Sequence, residues 1–305
     1  MNDSTNQIEE ESRIRSAAFN LTETSGVGML VFDCDGTIFP YVEELHAKSV
    51  AAVIEEASKK VGIGYSDSIF EAQWEQELGK GIQNFFEQYY AYSVGANEKP
   101  LFMGEIRSFG NALTLYEKKY IELAQKPENA HFFKIRNGLL AVFAAAAQAK
   151  VPMAVLSNAN ECVLRQSLET GLIQADLGYD SLTDIFAAIV GKDMVENDGH
   201  QAKPDPSAVL SVKKRVEAAI GVLISLPNSI GFGDTPADYN AFKNSGFGRV
   251  VACKNSWGAH KIMVGPDENG FVTIGLHHDV CETLALFQKY QTGRHHDPYL
   301  CLPHQ

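Results

Sequence analysis

The stretch Met29-Leu30-Val31-Phe32-Asp33-Cys34-Asp35-Gly36-Thr37 constrains this chain more than any other. The apolar run behind Gly28 reads as a buried strand. It ends in two carboxylates one residue apart, followed by a glycine and a hydroxyl. In an open α/β sheet, ligands bind beyond the carboxyl ends of the strands. Residues i and i+2 leaving a strand point the same way, so Asp33 and Asp35 reach one small volume. Two acids there repel unless a cation or a shared proton compensates. The stretch therefore predicts a metal-assisted chemical site. Cys34, between the acids, is expected to face away from them and pack.

The rest of the chain supplies the frame. The first strand covers about 28–33. From Val42 the apolar spacing turns helical (Leu45, Val50, Val53, Ile54, Ala57, Val61), with Gly62 as a stop. A second helix is expected from Ser66 or Asp67 to Leu78, and a third from Ile106 to Leu123. An aromatic run lies between them, and it reads as helix-packing core more readily than as a ligand platform. No strand alternation interrupts 42–136. A helix over 138–149, capped by Asn137, leads to a strand over 151–156, then to a helix from Glu161 to Thr170 that Gly171 stops. Further strands are expected over Ile185–Val190, Ile230–Phe232 and Val250–Ala252, with a helix from Pro206 to Ile220 and a last one near 278–290. Short apolar strands alternating with helices make this an α/β chain, a parallel sheet covered on both faces. The expected domains are a tail over 1–25, a discontinuous core over 26–40 and 138–290, an all-helical insert over 41–137, and a tail over 291–305.

Composition narrows the function. At 305 residues, 45% hydrophobic, with a formal net charge of −12, the chain has no general affinity for nucleic acid or anionic membranes. An anionic substrate needs a locally positive site. The polar N-terminus is no secretory signal and no apolar run reaches membrane-spanning length. Five scattered cysteines without metal-type spacing read as reduced thiols of a cytoplasmic protein. Oligomeric state is not legible.

Three more polar groups stand at strand ends. Ser157-Asn158 offers a hydroxyl and an amide beside free backbone N–H groups, which suits a phosphate. Both residues are also ordinary helix-start residues, with Asn160 the candidate N-cap. In Lys203-Pro204-Asp205-Pro206, the prolines hold a lysine just outside a helix. In Gly233-Asp234-Thr235-Pro236-Ala237-Asp238, Thr235 is the N-cap, Pro236 the first helical residue and Asp238 falls at N3, which explains it structurally. Asp234 has no such explanation, because an acid closing a buried strand is costly without a partner.

Asp33-Cys34-Asp35-Gly36-Thr37, then Ser157, Lys203 and Gly233-Asp234…Asp238 resemble the four motifs of the haloacid dehalogenase superfamily, in the family's order. Ile189-Val190-Gly191-Lys192-Asp193, leading to Lys203-Pro204-Asp205-Pro206, resembles the phosphoglycolate-phosphatase-like branch, with a longer loop over Met194–Ala202. The resemblance covers about 26–40 and 138–255. It implies a Rossmann-like core, with the insert over 41–137 in the place of that family's helical cap of the first type.

The resemblance also implies roles. Asp33 would be the nucleophile, forming an aspartyl-phosphate, and Asp35 the general acid and then base. Mg²⁺ would be held by the Asp33 carboxylate, the Asp35 carbonyl and Asp234. Ser157 and Asn158 would meet the phosphoryl oxygens, Lys203 would balance their charge, and Asp238 would steady Lys203 or the metal site. Relatives that cleave carbon–halogen or carbon–phosphorus bonds lack an aspartate at the position of Asp35. The implied enzyme is thus a Mg²⁺-dependent phosphatase of a small-molecule phosphate monoester. A sugar phosphomutase of the same superfamily is the alternative, and a non-catalytic binding or regulatory protein keeping the fold is another. Phe39 and Tyr41 are candidates for lining the entrance. Arg107 and Lys118-Lys119 read as solvated helix faces, and His277-His278 with the tail histidines as spare side chains rather than a second metal site.

Overall fold

Short, wholly apolar segments build the sheet, because a strand covered on both faces has no polar side. In the computed structural model, residues 28–62, 112–175, 181–253 and 271–274 are described, together with Ser66, Phe70, Trp74 and Phe85. The chain divides into two compact units, Val42–Phe132 and the remainder on either side of it.

The larger unit holds strands β1 (Leu30–Phe32), β2 (Met153–Leu156), β3 (Ala188–Val190), β4 (Ile230–Gly233), β5 (Arg249–Cys253) and β6 (Phe271–Ile274). They form one six-stranded sheet in the order β3-β2-β1-β4-β5-β6, with every pairing parallel. Phe32 pairs with Val155 on one side and Phe232 on the other, so β1 sits in mid-sheet. The strand order reverses direction around β1, and an open parallel sheet places its ligand crevice at that switch point.

Both faces of the sheet are packed. Phe32 stacks on Phe232 at 4.6 Å and meets Phe143 edge-on at 5.3 Å; Phe143 belongs to helix Leu139–Gln148. On the opposite face, Met29, Val31, Ala154 and Leu156 share a core with Val209, Val212 and Val216 of helix Ser207–Ile220 and with Phe242 of helix Pro236–Asn244. Gly231 lets the Phe242 ring lie against the strand, where a Cβ would be 2.5 Å away.

Several boundaries differ from those the sequence predicts. Gly138, in the left-handed region at φ 81°, occupies the N-cap position given to Asn137. The helix after β2 runs from Glu161 to Gln174, straight through Gly171. Gly171 is a contact residue instead of a stop, since a Cβ there would lie 2.2 Å from the Phe39 ring. A short helix, Lys192–Asn197, fills the first part of the expected loop over Met194–Ala202. The sequence reading also omits β6, whose partner is β5.

The smaller unit contains helix Glu43–Val61, closed by Gly62 in the left-handed region, and helix Ala112–Ala124. His46, Tyr116 and Tyr120 are buried together, with the His46 ring stacked on Tyr120 at 4.7 Å. Phe70, Trp74 and Phe85 are helical, buried and in mutual ring contact at 5.2–5.9 Å. These aromatics are core, as aromatic payloads in small helical units generally are. Lys119 pairs with Glu122 at 2.9 Å on a partly exposed face, and Lys118 is exposed. The expected helix near 278–290, both tails, Arg107 and His277-His278 lie outside the described residues. Among the described residues, no helix is long and apolar enough to cross a membrane.

Candidate active site

The ends of β1, β2 and β4 bring the motif residues to one side of the sheet. Asp33 follows β1, and its N–H donates to Phe232 O at 2.8 Å. Ser157 follows β2 and Asp234 follows β4. Asp33, Asp234 and Asp238 are all buried and each offers a carboxylate oxygen within 4.8 Å of the others. Lys203 arrives from the segment before helix Ser207–Ile220, across a cis peptide to Pro204.

Lys203 is the hub. Its ammonium donates to Asp33 Oδ1 at 2.6 Å, to Asp238 Oδ1 at 2.5 Å and to the Leu156 carbonyl at 3.0 Å. Burial alone would lower its pKa. The charges of Asp238 and Asp33, and the hydrogen bonds to them, outweigh that and hold it above the ordinary lysine value. Asp33 is raised as well, up to about 8, which for a carboxyl favours the neutral form. Burial is the main cause; Lys203 opposes it, and the charges of Asp238 and Asp35 reinforce it. One ammonium does not offset this group of acids.

Asp238 is fully committed. While Oδ1 accepts from Lys203, Oδ2 accepts from Thr235 Oγ1 at 2.6 Å, Thr235 N at 2.9 Å and Asp234 N at 3.2 Å. The Asp238 N–H donates to Thr235 Oγ1, which completes a capping box at the N-cap residue expected from the sequence. Gly233 is required beneath it, since a Cβ there would lie 2.2 Å from the Asp238 Cβ.

The loop after β1 turns back on itself. Ile38 and Phe39 N–H groups donate to Cys34 O, and Gly36 N–H to Phe39 O. Gly36 sits at φ 77°, where a Cβ would be 2.2 Å from Asp234 Oδ2. Thr37 Oγ1 donates to Asp234 Oδ1 at 3.2 Å. Cys34 is fully buried, and burial first, then the charges of Asp35 and Asp33, hold its thiol far above its usual range. It packs and does not ionise. Phe39 is also fully buried, meeting Phe133 edge-on at 5.8 Å. This corrects its expected place at an entrance: the ring is core, held by Gly171 and Phe133.

Ser157 is buried, and its hydroxyl accepts from the Ala159 N–H at 3.0 Å, which leaves the hydroxyl proton to donate elsewhere. Asn158 Nδ2 donates to the Lys203 carbonyl at 2.9 Å, tying the two loops together. The helix that follows begins at Glu161, whose N–H donates to Asp193 Oδ1 at 2.9 Å.

A family model described as haloacid dehalogenase-like hydrolase matches residues 27–246. The chain belongs to that hydrolase family. No curated protein matches it. Among solved structures, CbbY from Rhodobacter sphaeroides in complex with xylulose-1,5-bisphosphate is similar at 19% identity and a TM-score of 0.56. That match covers 80% of this chain and 93% of CbbY. A hydrolase of the same family from Entamoeba histolytica matches at 14% identity and TM-score 0.52, covering 85% and 99%. A Thermotoga maritima protein assigned as a β-phosphoglucomutase matches at 16% and 0.51, covering 86% and 98%. At these identities the likeness shows the fold.

The family's general use of Mg²⁺ fits the donors present. Buried carboxylate oxygens are hard ligands of the kind that ion takes. Burial first, and then the charges of Asp238 and Asp35, raise Asp33 against the pull of Lys203. With Asp238 committed to Lys203 and the helix start, the oxygens of Asp33 and Asp234 are the ones suited to a cation.

Proposed function

We propose that this hydrolase is a Mg²⁺-dependent phosphatase of a small-molecule phosphate monoester, working through an aspartyl-phosphate on Asp33. One observation carries the reading. Asp33 is buried 2.6 Å from a lysine ammonium, at the end of β1 beside Asp234 at the end of neighbouring β4, while Asp35 stands two residues on. An isolated salt bridge does not need the second and third acids; phosphoryl transfer does.

A carboxylate oxygen of Asp33 attacks phosphorus as the ester P–O bond breaks, and Asp35 gives its proton to the departing alkoxide. Asp35 then takes a proton from water, the resulting hydroxide attacks phosphorus, and the P–O bond to Asp33 breaks to release inorganic phosphate. Lys203 and the Ser157 hydroxyl stabilise the equatorial oxygens, joined by the backbone beside Asn158. Asp33, Asp234 and the Asp35 carbonyl would hold Mg²⁺, which when bound offsets negative charge on the phosphoryl group and the acids. Asp238 keeps Lys203 in place. The unit Val42–Phe132 serves as the cap that selects the substrate, consistent with its insertion between the β1 turn and the rest of the core.

A panel of phosphate esters, assayed with Mg²⁺ and with EDTA, tests this reading. Metal-dependent release of inorganic phosphate from some member supports it. Isomerisation of a sugar phosphate without release would replace it with a phosphomutase. No turnover anywhere on the panel would leave a binding protein.

A further inference from the structure

Arg136 is a charged side chain that the proposed chemistry does not use, yet only 2% of it is exposed. It sits just after the chain returns to the larger unit at Phe133. Its backbone N–H donates to Ile38 O at 2.9 Å. Its Nε donates to Thr37 O at 2.8 Å and its Nη2 to Gly36 O at 2.7 Å. One residue thus receives three successive carbonyls of the turn that follows Asp35.

That turn is the one pressed on Asp234. Gly36 lies so near that a Cβ would be 2.2 Å from Asp234 Oδ2, and the Thr37 hydroxyl donates to Asp234 Oδ1. Each oxygen of the acid therefore has a residue of this turn beside it, and the turn's carbonyls are held by a guanidinium. A loose turn would let Asp234 rotate, and metal sites lose affinity when the groups orienting their ligands are removed. A guanidinium suits this task because Nε–H and Nη2–H form one planar edge that can grip neighbouring carbonyls. An ammonium has three donors but no planar edge, so it does not impose the same fixed geometry on two neighbouring carbonyls.

We propose that Arg136 is a positioning residue that fixes the Gly36–Thr37 turn against Asp234 and thereby sets the affinity of the site for a divalent cation. The inference rests on the metal site proposed above. It places Arg136 outside the chemistry: the side chain touches neither substrate nor ion.

The test is a Mn²⁺ titration of the intact protein, read by the EPR signal of free Mn²⁺, with Mg²⁺ as competitor. It is run on wild type, Arg136→Lys and Arg136→Gln, at a temperature where circular dichroism shows each fully folded. Expected is tight binding by wild type and about 10–100-fold weaker binding by Arg136→Gln. Arg136→Lys, which keeps the charge without the planar edge, should fall between. A purely architectural role would lower the melting temperature and leave the affinity of the folded protein unchanged. Binding within twofold of wild type by a folded variant overturns the proposal. If Arg136→Gln does not fold, Arg136→Lys decides. Failure of wild type to bind either ion overturns the metal reading itself, and that titration separates the two failures.

Discussion

The Lys203 ammonium donates to Asp33 Oδ1 at 2.6 Å across 170 residues of sequence, with both side chains almost wholly buried. Lys203 also pairs with buried Asp238, so removing the ammonium leaves buried acid charge uncompensated. Lys203→Met should therefore cost about 3–5 kcal/mol of stability in urea unfolding. Phosphatase activity should fall by at least about 100-fold, the scale of losing one electrostatic contact to a reacting group. A variant as stable and active as wild type would show that the pair contributes to neither.

The metal-free protein should show an inverted pH response. Asp33 rises from an ordinary 3.8 to about 8, chiefly through burial. The folded state therefore holds this proton more tightly than the unfolded chain. Its contribution to stability is complete below about 4 and is lost as pH rises toward 8. Lys203 stays charged throughout that window. Urea unfolding in EDTA at several pH values should show wild type losing stability relative to Asp33→Asn as pH rises. Mg²⁺ should flatten the difference, and Asp33→Asn should fold yet turn over nothing. A parallel pH dependence in the two proteins would refute the assignment.

What was legible in the sequence was local. The strand ending in Asp33 and the Thr235/Asp238 box at a helix start are set by neighbours within a few residues. The Lys203 segment was legible too, through its paired prolines. What escaped depends on distant partners. Arg136 acts on carbonyls 99 and 100 positions away, and nothing around it marks it. Asn158 reads in the sequence as a phosphate ligand or an ordinary helix-start residue, whereas its amide holds the Lys203 carbonyl. Gly171 carried the stop signal of any glycine after a helical run, although the structure uses its missing side chain and not its flexibility.

That last difference can be tested directly. A methyl group at Gly171 would sit 2.2 Å from the Phe39 ring and 3.0 Å from Phe133 O. Phe39 is fully buried and cannot swing into solvent. Overpacking of this kind costs about 1–3 kcal/mol, more than the small gain alanine brings to a helix interior. Gly171→Ala should lower the urea midpoint; a stabilised variant would restore glycine to the role of a mere helix breaker.

Asp234 and Asp238 lie in the same acid group yet should respond oppositely to amidation. Asp238 spends Oδ1 on Lys203 and Oδ2 on the Thr235 hydroxyl and two backbone N–H groups, all within the protein. An amide keeps one acceptor oxygen and must turn its NH₂ toward either an ammonium or a helix start. Asp238→Asn should therefore lose about 1–3 kcal/mol of stability while the folded protein keeps most of its Mn²⁺ affinity. Asp234 accepts from the Thr37 hydroxyl, and it offers a carboxylate oxygen within 4.8 Å of one from Asp33. Asp234→Asn, measured where it is folded, should lose Mn²⁺ binding by at least about 10-fold, as expected when an anionic ligand is replaced by a neutral one. Urea unfolding in EDTA and an EPR titration on each variant separate the two effects. Equal loss of metal affinity in both would make Asp238 a ligand as well.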